Sequence, residues 1–278
     1  DKGNIQFIYE KKPVDGAKFI IKAAEDILSA DNQGDVIYTK GTKVAELTTK
    51  GGKATTDQLP LGKYTVYEQI AGDTFVLNTE VKTVELTYKD QDTAVVSEST
   101  EYENQRQKVS LDIMKTDSET GTALKGARFG IYAKQDVIGY DGSILVKAGT
   151  LIEQVTSDES GKLSFKVDLP INQHFEIKEL QAPIGYASTQ EVIDVNTAYK
   201  GQEIPTISFK KEVKNEITKV EISKKDATTD EELPGAHLTL KEKDGSVFES
   251  WISGNEPHIV KGLEPNTIYQ LIETSSTY

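Results

Sequence analysis

The stretch Ala123-Leu-Lys-Gly126-Ala127-Arg-Phe129 decides how this chain is read, because it has counterparts on both sides. Pro13-Val-Asp-Gly16-Ala17-Lys-Phe19 precedes it and Leu233-Pro-Gly235-Ala236-His-Leu238 follows it, with the glycines 110 and 109 residues apart. Each copy is a Gly-Ala step entering an alternating segment. Further on, each copy has an aromatic-x-aliphatic-x-Glu segment: Tyr64-Thr-Val66-Tyr-Glu68, Phe175-Glu-Ile177-Lys-Glu179 and Tyr269-Gln-Leu271-Ile-Glu273. Gly16 lies 52 residues before Glu68 and Gly126 lies 53 before Glu179, whereas Gly235 lies only 38 before Glu273. A fixed long period marks tandem copies of one folding unit. The third copy therefore lacks an internal piece. That piece runs from Ala24 to Thr42 in the first copy and from Lys134 to Thr150 in the second. It reads as a surface excursion with one helical turn, and such insertions are tolerated on loops.

Outward from these anchors the chain alternates with period two. Leu111, Ile113 and Lys115 share one face of a strand, as do Val220, Ile222 and Lys224, and Ile5, Phe7 and Tyr9 are the counterparts in the first copy. Turn residues punctuate the strands at Lys50-Gly-Gly52, Asp141-Gly142, Glu159-Ser-Gly161, Pro183-Ile-Gly185 and Asp244-Gly245. No segment sustains a 3.6-residue period. The expected class is all-β: three tandem Ig-like antiparallel β-sandwich domains in an elongated rod, over residues 1–106, 107–217 and 218–278. The joints near Gln105–Lys108 and Ile217–Lys219 are short and charged, which predicts a semi-rigid rod.

Composition removes several functional classes. The 278 residues carry a net charge of −13, which speaks against a general nucleic-acid binder or a partner of anionic membranes. No apolar run approaches the roughly 18–20 residues of a membrane span. The absence of Cys excludes disulfides, thiolate metal sites and cysteine nucleophiles. The three histidines, His174, His237 and His258, are scattered, so no metal site and no cofactor are expected. The acidic clusters Asp226–Glu232 and Asp158–Glu159 lack calcium-loop spacing, and Gly41-Thr and Gly149-Thr lack the rest of a phosphate loop. Trp251 reads as a core plug rather than a ligand platform. A start at Asp1 without a signal peptide and a stop at Tyr278 without a sorting tail read as a mature or trimmed fragment.

The second copy carries three polar residues on inward positions: Lys115, Glu179 and Asn215. Burying a bare charge between sheets is costly. Burial favours the neutral amine of a lysine and the protonated form of a carboxyl. A neutral Lys115 amine can attack the Asn215 side-chain carbonyl while Glu179 polarises it and shuttles a proton. Ammonia leaves and an isopeptide crosslink remains. A surface ion pair beside a turn asparagine is the plain alternative, and the ordered triad inside a repeat argues against it.

These residues resemble the Cna B-type domain, also called SpaA-like or prealbumin-like, of Gram-positive LPXTG surface adhesins and of minor or ancillary pilins. The marks are Lys115-Thr-Asp117, the Gly126-Ala-Arg-Phe129 strand, the Thr156-Ser-Asp-Glu-Ser-Gly161 turn, Leu169-Pro170, and Glu179-Leu-Gln-Ala-Pro-Ile-Gly-Tyr186. The resemblance implies an extracellular, cell-wall-anchored stalk that crosslinks itself and is no enzyme. The implied partners are neighbouring pilin or surface-protein subunits, the cell wall through sortase, and a host matrix or cell-surface protein.

The third copy keeps Lys224 and Glu273, and its acceptor is expected on a final strand beyond Tyr278. The first copy keeps Glu68 and Asn104. Tyr9 aligns with the lysine position, with Lys11 of the same parity as the alternative. Domain 1 is accordingly expected to hold together by its core alone. The overall expectation is a structural and adhesive stalk of a surface protein or minor pilin. The rival is a host-ligand-binding module using residues 24–48 or 134–155, where Tyr38 and Tyr140 are the aromatic candidates. A polymerising major pilin would want a Tyr-Pro-Lys-type motif, which these residues lack.

Overall fold

A computed structural model describes residues 3–30, 33–93 and 95–275, and the secondary structure assigned to them is strand and turn throughout. The outermost expected domain limits, Asp1 and Tyr278, lie outside the described residues. Among those residues no helix is long and apolar enough to cross a membrane.

The same core strand pair recurs in each copy. Lys18–Ala23 pairs with Gly62–Ile70, Arg128–Ala133 with His174–Gln181, and His237–Lys241 with Gln270–Ser275, all antiparallel. Each pair has an outer neighbour on its Gly-Ala side: Lys43–Thr48, Leu151–Thr156 and Val247–Ile252. Domains 1 and 2 add a fourth strand, Val81–Leu86 and Val192–Asn196. Alternation has the expected physical result. Phe129 and Ile131 of one strand and Phe175 and Ile177 of its partner are fully buried, while Glu176 between the latter two is only partly buried.

Domain 2 has a second sheet, with Lys108–Asp117 between Lys162–Leu163 and Thr206–Asn215. Its first and last strands run parallel, with Lys115 opposite Val213 and Asp117 opposite Asn215. The sandwich is thus not antiparallel throughout. The two strands belong to opposite ends of the domain and need no hairpin, so nothing in their connection forces an antiparallel arrangement. Ile113, Leu163 and Val213 of this sheet close the core against the first.

The excursions differ from the expected helical turn. They are small hairpins, Ile27–Leu28 with Val36–Tyr38 and Val137–Ile138 with Ile144–Val146. Gly139, Tyr140, Asp141 and Gly142 at the tip of the second favour a turn over a helix. Ile27 and Val137 anchor them to the two cores.

The largest departure is at the amino-terminal end. Ile5, Phe7 and Tyr9 form no strand in domain 1. Asn4 bridges to Glu153, the Ile5 amide donates to the Ile152 carbonyl (2.9 Å), and Ile5 and Phe7 pack against the domain 2 core. The Phe7 ring meets Phe175 edge-on at 6.5 Å. The Tyr9 hydroxyl donates to the Asp168 carbonyl (2.7 Å). Among the described residues, domain 1 consequently has only one full sheet. Its segment 102–104, the counterpart of the last strand of domain 2, lacks the neighbour that Lys108–Asp117 provides there, and it is not assigned as strand. The opposing layer in this copy is made instead by side chains from outside that sheet, such as Tyr102 and Leu59, packing against the cluster of Ile21, Tyr64 and Val66.

Both joints are hydrogen-bonded. Gln107 is fully buried and donates to the Gly201 (3.2 Å) and Ile204 (2.5 Å) carbonyls, while its own side-chain oxygen accepts from the Lys200 amide (3.0 Å). Tyr199 reaches the Phe75 carbonyl (2.7 Å), and Gln202 contacts Ala71 and Gln69 of domain 1. At the second joint Thr218 bonds to Gly185 on one side and to Gly262 and Leu263 on the other. Lys219 and Lys261 both pair with Glu119.

The turn ending at Gly161 decides where Lys115 sits. Gly161 adopts φ of +77°, its carbonyl accepts from the Lys115 amide (2.7 Å), and a Cβ on it would overlap the Lys115 carbonyl oxygen. Gly161→Ala therefore combines a left-handed backbone penalty with a clash against backbone. It should destabilise domain 2 by more than about 1 kcal/mol, read as a lower thermal midpoint while domains 1 and 3 are unchanged.

Candidate crosslinking sites

The site carboxylates stand at the same place in the backbone ladder of each copy. Just past the glutamate the register of each core strand pair slips by one residue: Phe19 faces Glu68, Phe129 faces Glu179 and Leu238 faces Glu273, each next to a bulge. Each glutamate keeps the parity of the apolar residues two and four positions before it, as Glu179 does with Phe175 and Ile177, so strand alternation carries it to that face.

In domain 2 the structure brings Lys115, Glu179 and Asn215 together. Lys115 is fully buried and Asn215 nearly so, and the Glu179 side chain has no exposed surface. Lys115 Nζ lies 3.7 Å from Glu179 Oε1 and donates to the Val213 carbonyl (3.1 Å). It also lies 5.9 Å from the centre of the Phe129 ring. Asn215 stands two residues beyond Val213 on the adjacent parallel strand, so it shares the face over which the lysine lies. Its Nδ2 donates to Glu179 Oε2 (3.0 Å) and to the Ala187 carbonyl. Glu179 Oε2 also accepts from the Thr189 amide (2.7 Å).

Two consequences follow from burial. Desolvation pulls the Lys115 pKa below the usual lysine range, and the opposing pull of Glu179 only partly offsets it. Glu179 Oε1 and Asn215 Oδ1 are buried without a hydrogen-bond partner. Such atoms usually cost about 1–3 kcal/mol each, and native structures rarely leave them. The Asp117 carboxylate closes the strand end by accepting from the Glu119 and Thr120 amides (both 2.8 Å) and the Tyr186 hydroxyl (2.9 Å). The Thr120 amide, first among these donors, holds that carboxyl below its ordinary range.

Domain 1 preserves half of this geometry. Glu68 is buried, and its Oε2 accepts from Asn104 Nδ2 (2.7 Å) and from the Asn78 amide (2.7 Å). Glu68 Oε1 is the third buried atom without a hydrogen-bond partner. The expected occupant of the lysine position is elsewhere: Tyr9 lies against domain 2, with the Arg106 guanidinium 3.6 Å from its ring centre. Burial pushes the Tyr9 phenol up to about 12, with Arg106 opposing and Asp168 reinforcing the shift. Lys11 pairs with Glu103 (2.7 Å) in full solvent and does not approach Glu68. The space is taken by Tyr102, which stands two residues before Asn104 as Val213 does before Asn215. Its ring lies 4.9 Å from Phe19 and its hydroxyl donates to the Val66 carbonyl (2.6 Å).

In domain 3, Lys224 Nζ lies 3.2 Å from Glu273 Oε2, but the two side chains are 29% and 36% exposed. They meet as an open ion pair rather than as a desolvated one. Trp251 is half-buried against Leu240 and Val260 and stacks on His258 at 4.4 Å, with His258 bonded to Glu249 (2.7 Å).

Sequence reasoning missed four contributors: the Thr189 and Asn78 amides, the Ala187 carbonyl and Tyr102. The first two left a signal, since each lies 10 residues after its glutamate.

The sequence profile of the SpaA prealbumin-like fold domain matches this chain three times, over residues 8–101, 109–212 and 218–277. The chain therefore belongs to the family of SpaA-like, prealbumin-fold domains. Among solved structures, the Bacillus anthracis TIE protein is 25% identical over 97% of this chain, with a TM-score of 0.53. This chain spans 44% of the length of that protein. The Streptococcal ancillary pilin is 21% identical, covering 94% of this chain and 84% of its own, with a TM-score of 0.32. BcpA, the major pilin subunit of Bacillus cereus, is 15% identical, covering 98% and 86%, with a TM-score of 0.40. A comparison with curated protein sequences finds no match.

Tyr102 should be the plug that lets domain 1 do without a lysine. Tyr102→Ala removes an aromatic ring from the Phe19 face and should destabilise domain 1 by roughly 3 kcal/mol. Hydrogen exchange of the Lys18–Ala23 and Gly62–Ile70 amides would report it, with domain 2 amides as the internal control.

Proposed function

We propose that this chain is a structural stretch of stalk from a surface protein or pilus of a Gram-positive cell. Its second domain ties its first strand to its last through an isopeptide bond between Lys115 and Asn215. The observation that carries the reading is the buried meeting of Lys115, Glu179 and Asn215, with one polar atom of the carboxylate and one of the carboxamide lacking a hydrogen bond.

The chemistry balances without a cofactor. The lowered Lys115 pKa raises the share of neutral amine at neutral pH. Its lone pair attacks the Asn215 side-chain carbon, and a C–N bond forms. Glu179 takes up the proton that the Lys115 ammonium gives up, hydrogen-bonds the carboxamide oxygen with it, accepts the next proton shed by the attacking nitrogen, and passes a proton to the departing nitrogen. The bond to Nδ2 breaks and ammonia leaves. The reaction occurs once per molecule, so the protein turns nothing over. In the chain-entropy model used for disulfides, closing a loop of about 100 residues contributes on the order of 4–5 kcal/mol.

Lys224 and Glu273 are the corresponding amine and carboxyl in domain 3. Domain 1 is the uncrosslinked member. The partners of such a stalk would be neighbouring subunits, the cell wall through sortase, and a host matrix or surface protein.

A second reading, host-ligand binding, is favoured by one observation. The domain 2 excursion holds Tyr140, Leu145 and Ile144 largely in solvent, Tyr140 at 97% exposure. A Tyr140→Ser, Leu145→Ser double variant should keep its thermal midpoint. If the excursion is adhesive, that variant should lose adherence to protein-coated surfaces.

Intact mass tests the crosslink. The protein should weigh one ammonia less than its sequence. Glu179→Ala should restore the full mass and lower the domain 2 midpoint by on the order of 15–20 °C. A native protein at full sequence mass would end the crosslink reading.

A further inference from the structure

The docking of residues 4–9 on domain 2 makes domain 1 an excursion whose two ends meet. One end is Tyr9, whose hydroxyl reaches the Asp168 carbonyl. The other is Arg106, which stacks on the Tyr9 ring and pairs with the Asp168 carboxylate, as does Lys108 (2.9 Å). Beyond that stem, Gln107 is buried in domain 2 and the Lys108 amide donates to the Pro205 carbonyl (2.9 Å). Both sides of the stem are therefore fixed to the same body.

The amino-terminal segment is held as a strap. Its backbone joins the edge of the Leu151–Thr156 strand, and Ile5 and Phe7 pack, partly buried, against the domain 2 core beside that edge. Gly3 allows the approach, because a Cβ there would come within 2.6 Å of Leu151 Cγ. From Lys11 onward the chain contacts domain 1: Lys11 pairs with Glu103, the Val14 carbonyl accepts from the Thr49 hydroxyl and the Asp15 carboxylate from the Gly52 amide.

We propose that the strap carries tension arriving from the amino-terminal side directly into domain 2, so that domain 1 lies outside the load path until the strap is pulled free. Tension on residue 4 is borne by the Ile5–Ile152 hydrogen bond, the partly buried Ile5 and Phe7 side chains and the Tyr9–Arg106–Asp168 clasp. Residues 10–105 hang between two points that do not separate while those contacts hold. The arrangement suits this chain, because domain 1 is the copy whose lysine position is filled by an aromatic plug. The inference rests on the strap contacts and stands whether or not Lys115 and Asn215 are joined.

The chain contains no cysteine, so a single introduced one gives a unique handle. Asn4 and Lys12 are both exposed and lie on either side of the strap residues. Asn4→Cys and Lys12→Cys proteins would be pulled in a force spectrometer against a carboxy-terminal tag. Release of domain 1 adds roughly 300 Å at about 3.3 Å per residue, well above the gain from domain 3. Pulled from position 12, domain 1 should extend first and at low force. Pulled from position 4, the same extension should come at a clearly higher force. Adding Ile5→Ala and Phe7→Ala to the Asn4→Cys protein should bring it down to the position 12 value. Equal forces from the two handles, or no effect of the double alanine variant, would overturn the proposal. Loss of the domain 2 extension event reports on the crosslink alone, so the two ideas fail separately.

Discussion

Lys115 and Glu179 face each other at 3.7 Å with no exposed surface on either side chain. Taking two charges out of water costs several kcal/mol each, and their attraction repays it only with good geometry and full hydrogen bonding. The hydrogen bonding is incomplete, since Glu179 Oε1 and Asn215 Oδ1 lack a hydrogen bond. The rest of domain 2 exists around this constraint. It has the most extensive core, in which Ile113, Phe129, Phe175, Ile177 and Val213 are fully buried. It has the only long parallel strand pair among the described residues, the one that places Lys115 beside the strand of Asn215. The crosslink proposed above would turn the Lys115 ammonium into a neutral amide and so relieve the cost of desolvating its charge.

The three copies treat the same carboxylate in three ways. Domain 2 buries it with an amine. Domain 1 buries it with an asparagine and a backbone amide, and fills the amine's place with Tyr102. Domain 3 leaves the ion pair half in water, where it contributes little to stability. The common element is the bulge opposite Phe19, Phe129 and Leu238. Because the bulge belongs to the backbone ladder and not to the lysine, it persists when the lysine is gone.

The joints extend this logic from the domain to the chain. Buried Gln107 and the Thr218 hub satisfy backbone groups that a flexible linker would leave to water. Short charged segments between domains therefore behave as parts of the neighbouring cores. The strap is the extreme case, with apolar side chains from one side of domain 1 completing the core on the other.

Much of this was written in the sequence. The period of the Gly-Ala steps, the period-two alternation and the inward parity of Lys115, Glu179 and Asn215 fixed the copies, the class and the candidate triad, because strand side chains alternate whatever their partners are. What alternation cannot say is which neighbour a strand chooses. Ile5, Phe7 and Tyr9 have the right pattern for the first strand of domain 1. They lie instead on domain 2, where Phe175 and the Leu151–Thr156 edge take them up. For the same reason the parallel pairing of the first and last strands of domain 2, the hairpins in place of helical turns, and Tyr102 in the lysine's space were settled only by tertiary packing. Burial energy depends on what surrounds a side chain, and that is a property of the assembled fold and not of local order.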